Sequence, residues 1–192
     1  NIQCLYISNA APYKHQWHVV KAIEILRNYG YDFRLKLVGG GKGDAKVRLE
    51  KQILESDPEG NFVTQYCFVS KVEIVKQLSN SDLFIFASSC ENLPVTLLEA
   101  MASGIPICSS DRGPMPEVLG PNGCYFNPEC AESIAFAVRK IASNSIFQSK
   151  CIADALARSN DYTWEKCANM TFGSLYKIYY KTSDQNSNIA RQ

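Results

Sequence analysis

The sequence predicts an α/β/α sandwich, in which helices cover both faces of a parallel sheet of about six strands. Short apolar runs rich in β-branched and aromatic residues are typical of strands that are buried on both faces. Longer segments with apolar residues at helical spacing separate these runs, and this alternation is typical of βαβ units. The 192 residues, 46% hydrophobic and 20% charged, are enough for one good-sized soluble domain.

The individual elements follow from the same patterns. Strands are predicted at residues 2–7, 33–38, 62–68, 83–87, 105–108 and 124–126. Helices are predicted where apolar residues recur every three or four positions, at residues 19–30, 46–54, 73–78, 95–102, 131–141 and 146–158. Gly30 and Gly104 are suited to end the first and fourth of these helices. In such a sheet, ligands bind beyond the carboxyl ends of the strands.

A last helix is predicted after residue 160, and no strand follows it. Asp161 or Thr163 can cap its start. One apolar stripe runs along it, made by Trp164, Ala168, Thr171, Leu175 and Ile178. Such a helix must pack against this domain or against a neighbouring one. We therefore predict one domain over residues 1–181 and a polar, disordered tail at residues 182–192.

Charge and hydropathy exclude several classes of function. A net charge of +1 argues against nucleic-acid binding and against a membrane-surface role driven by bulk electrostatics. No apolar run reaches the roughly 18 residues of a membrane helix, and no signal peptide is recognised. The chain opens with Asn1 and enters a strand almost at once, so we expect a fragment of a longer protein or a processed chain.

The cysteines and histidines give no support for a metal site. Eight cysteines occur without a C-x-x-C pair. Four of them fall in strand-like runs and are expected to be small buried hydrophobes of a cytoplasmic protein, namely Cys4, Cys67, Cys108 and Cys124. His15 and His18 lie one helical turn apart without an evident third ligand, so no metal is expected there.

The loop "LVGGGKGDAK" follows the second predicted strand and holds four glycines within residues 39–43. It is not a P-loop, because no Ser or Thr follows Lys42, and Asp44 stands where a dinucleotide fingerprint needs glycine. Glycines at this density indicate close backbone approach or positive φ. The loop is therefore either a flexible turn or part of a ligand cleft.

Lys14 lies between the first predicted strand and the first predicted helix. A lysine at that place does not complement the helix dipole, whose amino end favours anions. The placement is explained if Lys14 and the helix amino end share an anion. The alternative is a solvated surface lysine.

The segment "ENLPVTLLEAMASG" joins a buried strand to a helix. Pro94 suits the first helical position, and the free N–H groups of a helix start suit a diphosphate. Glu91 and Glu99 would then lie on either side of that anion, where carboxylates accept hydrogen bonds from hydroxyls. This layout suits a nucleotide sugar, which carries ribose, diphosphate and hexose. An ordinary amphipathic helix with two glutamates spaced by chance is the alternative.

Together these segments resemble the C-terminal, donor-binding half of retaining GT-B-fold glycosyltransferases of family 4, the glycosyl transferases group 1. The E-x7-E motif of that family matches Glu91 and Glu99 within "SSCENLPVTLLEAMASGIPICSSDRGPMPEVL". The resemblance also includes "YKHQWHVVKAIEIL", "LVGGGKG", "CFVS", "SIAFAVRKIA" and "YTWEKCANMTFGSLYKIY", and so extends over most of the chain. It implies a Rossmann-like domain that is one half of a GT-B fold.

The resemblance implies a role for each residue of the site. Glu91 would hold a sugar hydroxyl, Lys14 would neutralise the diphosphate and assist its departure, and Glu99 would bind the ribose hydroxyls. Glu91 and Lys14 are thus the implied catalytic residues. The other implied donor-binding residues are Asn9, Gly40, Gly41, Val69, Ser70, Asn92, Leu93, Pro94, Val95 and Thr96. No metal and no cofactor besides a UDP or GDP sugar donor is implied.

Two positions depart from the family pattern. Many relatives carry arginine where this chain has Asn9, and Arg112 or Lys42 could supply the missing cation. Relatives often have glycine where Pro94 stands. Because proline has no N–H group, the neighbouring amides of residues 95 and 96 would have to bind the ligand instead.

The reaction implied by the resemblance is transfer of a hexosyl group from a nucleoside diphosphate sugar to a hydroxyl acceptor, with retained configuration, in polysaccharide or glycoconjugate biosynthesis. An N-terminal acceptor-binding half is implied, and any peripheral membrane association would be through that half. We expect this chain alone to bind donor but to turn over poorly. The alternatives are an epimerase or phosphorylase of the same fold, a non-catalytic nucleotide-sugar-binding subunit, and an unrelated flavodoxin-like domain.

Overall fold

Six parallel strands form the central sheet of the computed structural model, which describes the backbone of residues 1–189 and the side chains of residues 1–180. The strands are β1 (Ile2–Ile7), β2 (Phe33–Val38), β3 (Val63–Tyr66), β4 (Leu83–Phe86), β5 (Ile107–Ser110) and β6 (Cys124–Phe126). Their order in the sheet is β3-β2-β1-β4-β5-β6, and every pair is parallel. The predicted Rossmann-like α/β fold is confirmed.

A helix follows each of the six strands. They are α1 (Gln16–Asn28), α2 (Asp44–Ser56), α3 (Lys71–Ser79), α4 (Val95–Ser103), α5 (Met115–Leu119), α6 (Ala131–Ser143), α7 (Ser145–Ser159) and α8 (Trp164–Ile189). A 3-10 turn at Pro12–Lys14 precedes α1. Neither this turn nor α5 was predicted, because a segment of three or five residues is too short to show helical periodicity.

The third and fifth strands have other bounds than those predicted from the sequence. The third strand ends at Tyr66, not at residue 68, so Cys67 is exposed and not the buried hydrophobe we expected. The fifth strand spans Ile107–Ser110 where residues 105–108 were predicted. Its last two positions are serines that are fully buried, which an apolar criterion cannot recognise.

The sheet order changes direction between β1 and β4. From β1 the chain crosses to β2 and then β3 on one side, whereas β4, β5 and β6 follow in turn on the other side. Right-handed crossovers put the helices into two groups on opposite faces of the sheet, and α3 and α6 each pack with helices of the other half. One group packs α1 against α2 and α6, and the other packs α4 against α3, α5 and α7. The carboxyl ends of β1 and β4 border the crevice where such folds bind ligands.

The chain divides after Ser159 into two units, the first being Asn1–Ser159. The second unit contains α8, whose start is capped by Thr163, since Thr163 Oγ1 accepts the Lys166 N–H at 3.1 Å. The backbone of α8 is helical as far as Ile189. The predicted domain bounds of 1–181 and disordered tail at 182–192 stay predictions, because residues 190–192 and the side chains after residue 180 lie outside the described part. None of the described helices is long and apolar enough to span a bilayer.

Candidate functional site

A cavity of about 240 Å³ opens at the carboxyl edge of the sheet. It is lined by Ile7, Ser8, Asn9, Lys14, Val38, Gly39, Phe68, Val69, Ile74 and Thr96. These residues come from the exits of the first three strands and from the start of α3 and α4. Four of the predicted site residues therefore meet at one cavity: Asn9, Lys14, Val69 and Thr96.

Lys14 ends the 3-10 turn, and its side chain forms an ion pair with Glu91. The two side chains are 14% and 16% exposed. The Lys14 Nζ lies 5.2 Å from the centre of the Tyr13 ring and 5.6 Å from that of Phe86. The backbone of the lysine is also held, because the Tyr6 hydroxyl donates to the Lys14 carbonyl at 2.7 Å. The residues predicted to be catalytic are thus in direct contact.

His15 connects the turn that contains Lys14 with the loop that contains Glu91. Its Nε2 lies 2.9 Å from Ser89 Oγ, and the Ser89 N–H donates to the Tyr13 carbonyl at 2.8 Å. His15 has φ 48° and ψ 30°, and among the described residues no other non-glycine has a positive φ. Sequence reasoning considered His15 only as a metal ligand, and its contact with Ser89 has no local signature in the sequence.

The two histidines pack against each other beside the turn that carries Lys14. Their rings stack with centres 5.6 Å apart, and His18 Nδ1 lies 3.0 Å from the Pro128 carbonyl, to which it can donate. Burial lowers the pKa of both histidines below the ordinary value. His15 Nδ1 is buried without a partner, so the proton of the neutral ring belongs on Nε2, which donates to Ser89. Across the described residues, no three His, Cys, Asp or Glu side chains are grouped so as to hold a metal ion.

The glycine-rich loop after β2 packs closely against the exit of β1. A Cβ at Gly39 would lie 2.2 Å from the Ser8 carbonyl oxygen, and one at Gly41 would lie 2.7 Å from the Ala10 Cβ. A Cβ at Gly40 would lie 2.6 Å from the Phe68 ring. Gly39 lines the cavity, so the loop is part of its wall, whereas Gly40 and Gly41 face neighbouring residues of the fold. The predicted donor contacts of Gly40 and Gly41 stay predictions.

The start of α4 differs by one residue from the expected geometry. Pro94 is the N-cap of this helix and not its first residue, and its carbonyl accepts the N–H groups of Leu97 and Leu98. The Val95 N–H donates to the Leu93 carbonyl at 2.9 Å and is therefore engaged within the turn. The Thr96 N–H belongs to the first turn, where no intrahelical acceptor exists. Thr96 is thus the better placed of the two amides predicted to bind the ligand.

Glu99 lies apart from the Lys14–Glu91 pair, in a second cavity of about 490 Å³ between α3 and α4. This cavity is lined by Lys71, Ile74, Val75, Leu78, Ser79, Glu99, Ala102 and Ser103. Because Ile74 lines both cavities, they adjoin at that residue. Ser70 caps α3 beside them, its Oγ accepting the Glu73 N–H at 3.2 Å. The two adjoining cavities form one groove; Glu99 lines its second part, whereas Glu91 lines neither cavity and is connected to the first through its ion pair with Lys14.

The other residues predicted on the loop and helix after β4, apart from Thr96 and Glu99, do not line either cavity. Asn92 and Leu93 are exposed on the loop before α4, and Val95 is exposed as the first residue of that helix. Arg112, a candidate to replace the cation missing at Asn9, pairs with its neighbour Asp111, with Nε 3.4 Å from the carboxylate oxygen. Lys14 is accordingly the cation that lines the cavity.

The strand order and the position of the groove define a Rossmann-like α/β domain with a ligand site at the carboxyl edge of its sheet. The chain belongs to the family described as "Glycosyl transferases group 1", whose model matches residues 1–158. The resemblance seen in the sequence is thereby confirmed.

Curated relatives carry names from polysaccharide synthesis. The O-antigen chain mannosyltransferase B of Escherichia coli is 22% identical over 174 residues, which are 91% of this chain and 45% of that protein. The amylovoran biosynthesis glycosyltransferase AmsK of Erwinia amylovora is 32% identical over 109 residues, 54% of this chain and 26% of that protein. The chain therefore spans less than half the length of either relative.

Solved structures of glycosyltransferases share the fold. HepE of Anabaena, in complex with UDP and glucose, matches with a TM-score of 0.79 at 20% identity over 92% of this chain and 48% of that one. The C-terminal domain of a group 1 family protein, LpcC of Francisella tularensis, matches with a TM-score of 0.71 at 20% identity, over 83% of this chain and 85% of that one. These similarities confirm a GT-B-type domain fold.

Proposed function

We propose that the chain is the donor-binding domain of a retaining glycosyltransferase, which transfers a hexosyl group from a nucleoside diphosphate sugar to a hydroxyl acceptor. The observation that carries this proposal is the meeting of Lys14, Glu91 and the first turn of α4 beside one cavity at the carboxyl edge of the sheet. A cation, a carboxylate and helix-end amides are the groups that a nucleotide sugar needs.

The chemical task of these groups is to handle the charge of the leaving diphosphate. As the bond between sugar and phosphate breaks, negative charge grows on the phosphate oxygen. In this proposal Lys14 and the amino end of α4 stabilise that charge, which is supported by their place at the cavity. Glu91 accepts a hydrogen bond from a sugar hydroxyl and thereby orients the hexose. The proposal includes no metal and no further cofactor.

The nucleoside part of the donor occupies the groove on the other side of the diphosphate. The cavity walls formed by Val38, Phe68 and Val69 suit a planar base. In this proposal the backbone near Val69 and Ser70 binds the polar edge of the base. Glu99, in the adjoining cavity, accepts hydrogen bonds from the ribose hydroxyls.

The names of these two relatives support a role in polysaccharide biosynthesis. The donor we propose is a UDP or GDP sugar, and the solved complex of HepE with UDP-glucose supports the first of these. Because the chain spans less than half of these relatives, an acceptor-binding N-terminal half completes the proposed enzyme. A cytoplasmic location agrees with eight free cysteines.

Calorimetric titration of the 192-residue chain against UDP, GDP and ADP sugars tests the donor site. We expect one nucleotide series to bind and Glu99→Gln to weaken it, since the amide accepts ribose hydroxyls less well than a carboxylate does. If no series binds at millimolar concentration, the proposed site is wrong.

The retaining reaction needs a separate test with the full-length protein. We expect the NMR spectrum of its product to show the same anomeric configuration as the donor, and the isolated chain to give little product. An inverted product, or robust transfer by the isolated chain, contradicts the proposal.

A further inference from the structure

Lys14 and Glu91 form an ion pair that is largely shielded from solvent. Their side chains are 14% and 16% exposed, and the Lys14 ammonium also lies 5.2 Å and 5.6 Å from the centres of the Tyr13 and Phe86 rings. An aromatic face attracts a cation but carries no net charge. Among the described residues, Glu91 is therefore the carboxylate that balances Lys14.

The two partners of this pair are assigned to different parts of one ligand. Under the proposed function, Lys14 binds the diphosphate and Glu91 binds a hydroxyl of the sugar. If Glu91 kept its place at Lys14 while a diphosphate arrived, two anions would lie close together and repel. If it gave up Lys14 without a new partner, a shielded carboxylate would be left uncompensated. The ion pair thus opposes binding of a diphosphate that brings no sugar.

We propose that Glu91 competes with the donor diphosphate for Lys14, and that this competition makes the site favour a nucleoside diphosphate sugar over the nucleoside diphosphate alone. This inference rests on the proposed function. A sugar nucleotide gives each side chain a new partner: its diphosphate binds Lys14, and its sugar hydroxyls donate hydrogen bonds to the Glu91 carboxylate. A nucleoside diphosphate without a sugar binds Lys14 but leaves the Glu91 carboxylate without a new partner. Once the sugar has gone to the acceptor, Glu91 returns to Lys14 and favours release of the nucleotide.

The test compares wild type with Glu91→Gln by calorimetric titration of the 192-residue chain with UDP, GDP, UDP-glucose and GDP-mannose. Glutamine keeps the shape of the side chain and its capacity for hydrogen bonds but removes the charge. We expect Glu91→Gln to bind the nucleoside diphosphate about tenfold more tightly and to prefer the sugar nucleotide less. A residue that only contacts the sugar would leave the affinity for the nucleoside diphosphate unchanged. An unchanged or weaker affinity therefore overturns the proposal.

Three controls separate this mechanism from others. In a Lys14→Met background, Glu91→Gln should no longer increase the affinity for the nucleoside diphosphate. An increase that persists there would show that Glu91 simply repels the diphosphate and does not compete with it for Lys14. Glu55→Gln is the matched control, because it removes the carboxylate of an exposed lysine–glutamate pair on α2, with Lys51, that lines neither cavity, and no gain is expected from it. If the Glu91→Gln variant does not fold, Glu91→Ala takes its place. Thermal melting checks that this variant is folded, and it must show the same increase in affinity for the nucleoside diphosphate.

Failure of the inference can be told apart from failure of the proposed function. Wild-type chain that binds no nucleotide contradicts the donor site itself. Wild-type chain that binds, with variants that show no gain, contradicts only the competition between Glu91 and the diphosphate.

Discussion

At the scale of single residues, Lys14 is held by the groups on either side of it. The Tyr13 carbonyl accepts the Ser89 N–H at 2.8 Å, and His15 Nε2 donates to Ser89 Oγ at 2.9 Å. The Tyr6 hydroxyl fixes the carbonyl of Lys14 itself. A left-handed conformation such as that of His15 costs roughly 1–2 kcal/mol for a non-glycine residue, and such strain persists where surrounding contacts over-determine it. The lysine is therefore pre-positioned for its ligand.

Replacing Lys14 by glutamine removes the cation of the cavity while keeping a polar side chain of similar length. We expect the affinity for UDP or GDP to fall roughly tenfold to a hundredfold, since a charge-assisted bond to phosphate is lost. The affinity for the nucleoside without phosphates should not change. The matched control is Lys51→Gln, an exposed lysine on α2. Equal losses for nucleotide and nucleoside, measured by calorimetry, would contradict the role of Lys14 at the diphosphate.

Replacing Ser89 by alanine removes the acceptor of His15 but keeps the backbone bond to Tyr13. We expect the free energy of unfolding to fall by about 1 kcal/mol and the nucleoside diphosphate to bind several-fold more weakly, because Lys14 loses its support. The nucleoside should bind as before. Urea unfolding and calorimetry provide these values, and Ser159→Ala at the exposed end of α7 is the control. Lost stability with unchanged diphosphate binding would make the contact purely structural.

At the scale of elements, the exits of the first three strands are bonded to each other beyond the sheet. The Ala10 N–H donates to the Gly40 carbonyl at 2.8 Å, and the Gly39 N–H donates to the Tyr66 carbonyl at 2.9 Å. Ala10 and Gly41 form an isolated parallel bridge. The loop after β2 can approach this closely because its glycines lack side chains. The wall of the cavity is therefore an extension of the sheet.

Substitution of Gly39 by alanine tests this packing. The new Cβ would lie 2.2 Å from the Ser8 carbonyl oxygen at a φ of 137°, so a backbone shift is required. We expect a loss of about 2–4 kcal/mol in the free energy of unfolding, measured in urea. Gly60→Ala is the matched control, because its φ is 69° but nothing lies within 4 Å, and about 1 kcal/mol is expected. Equal losses in the two variants would show that the loop is not sterically constrained.

At the scale of the whole molecule, the sheet order determines which loops meet. Because β1 and β4 are neighbours, Lys14 after the one and Glu91 after the other come into contact although 77 positions separate them. The same junction buries His15 and brings His18 against its ring. Folding thus places two titratable rings where the charged form is disfavoured.

The stability of the fold should consequently depend on pH. Burial lowers the pKa of His15 and His18, so the unfolded chain binds their protons more readily than the folded chain does. The free energy of unfolding should fall as pH drops below about 6.5 towards the folded pKa values, by at most about 1.4 kcal/mol per pH unit for each histidine.

Urea unfolding between pH 7.5 and 5 measures this slope, and His18→Gln should reduce it. The lowered pKa of Glu24 acts in the same direction, but only at a pH near and below its ordinary value of 4.5, outside the window of the histidines. A free energy that stays constant from pH 7.5 to 5 would contradict the buried neutral histidines.

By itself, the sequence determined the alternation of strands and helices, the family, and the candidates Lys14, Glu91 and Glu99. These depend on local patterns, since periodicity, caps and motif spacing are properties of short segments. Only the tertiary structure decided that Lys14 pairs with Glu91 and that His15 forms a hydrogen bond with Ser89. It also decided that the Val95 N–H, which was expected to face the ligand, donates to the Leu93 carbonyl instead. Each of these depends on which strand exits are neighbours and on the exact turn of the backbone. Neither is encoded in the spacing of residues along the chain.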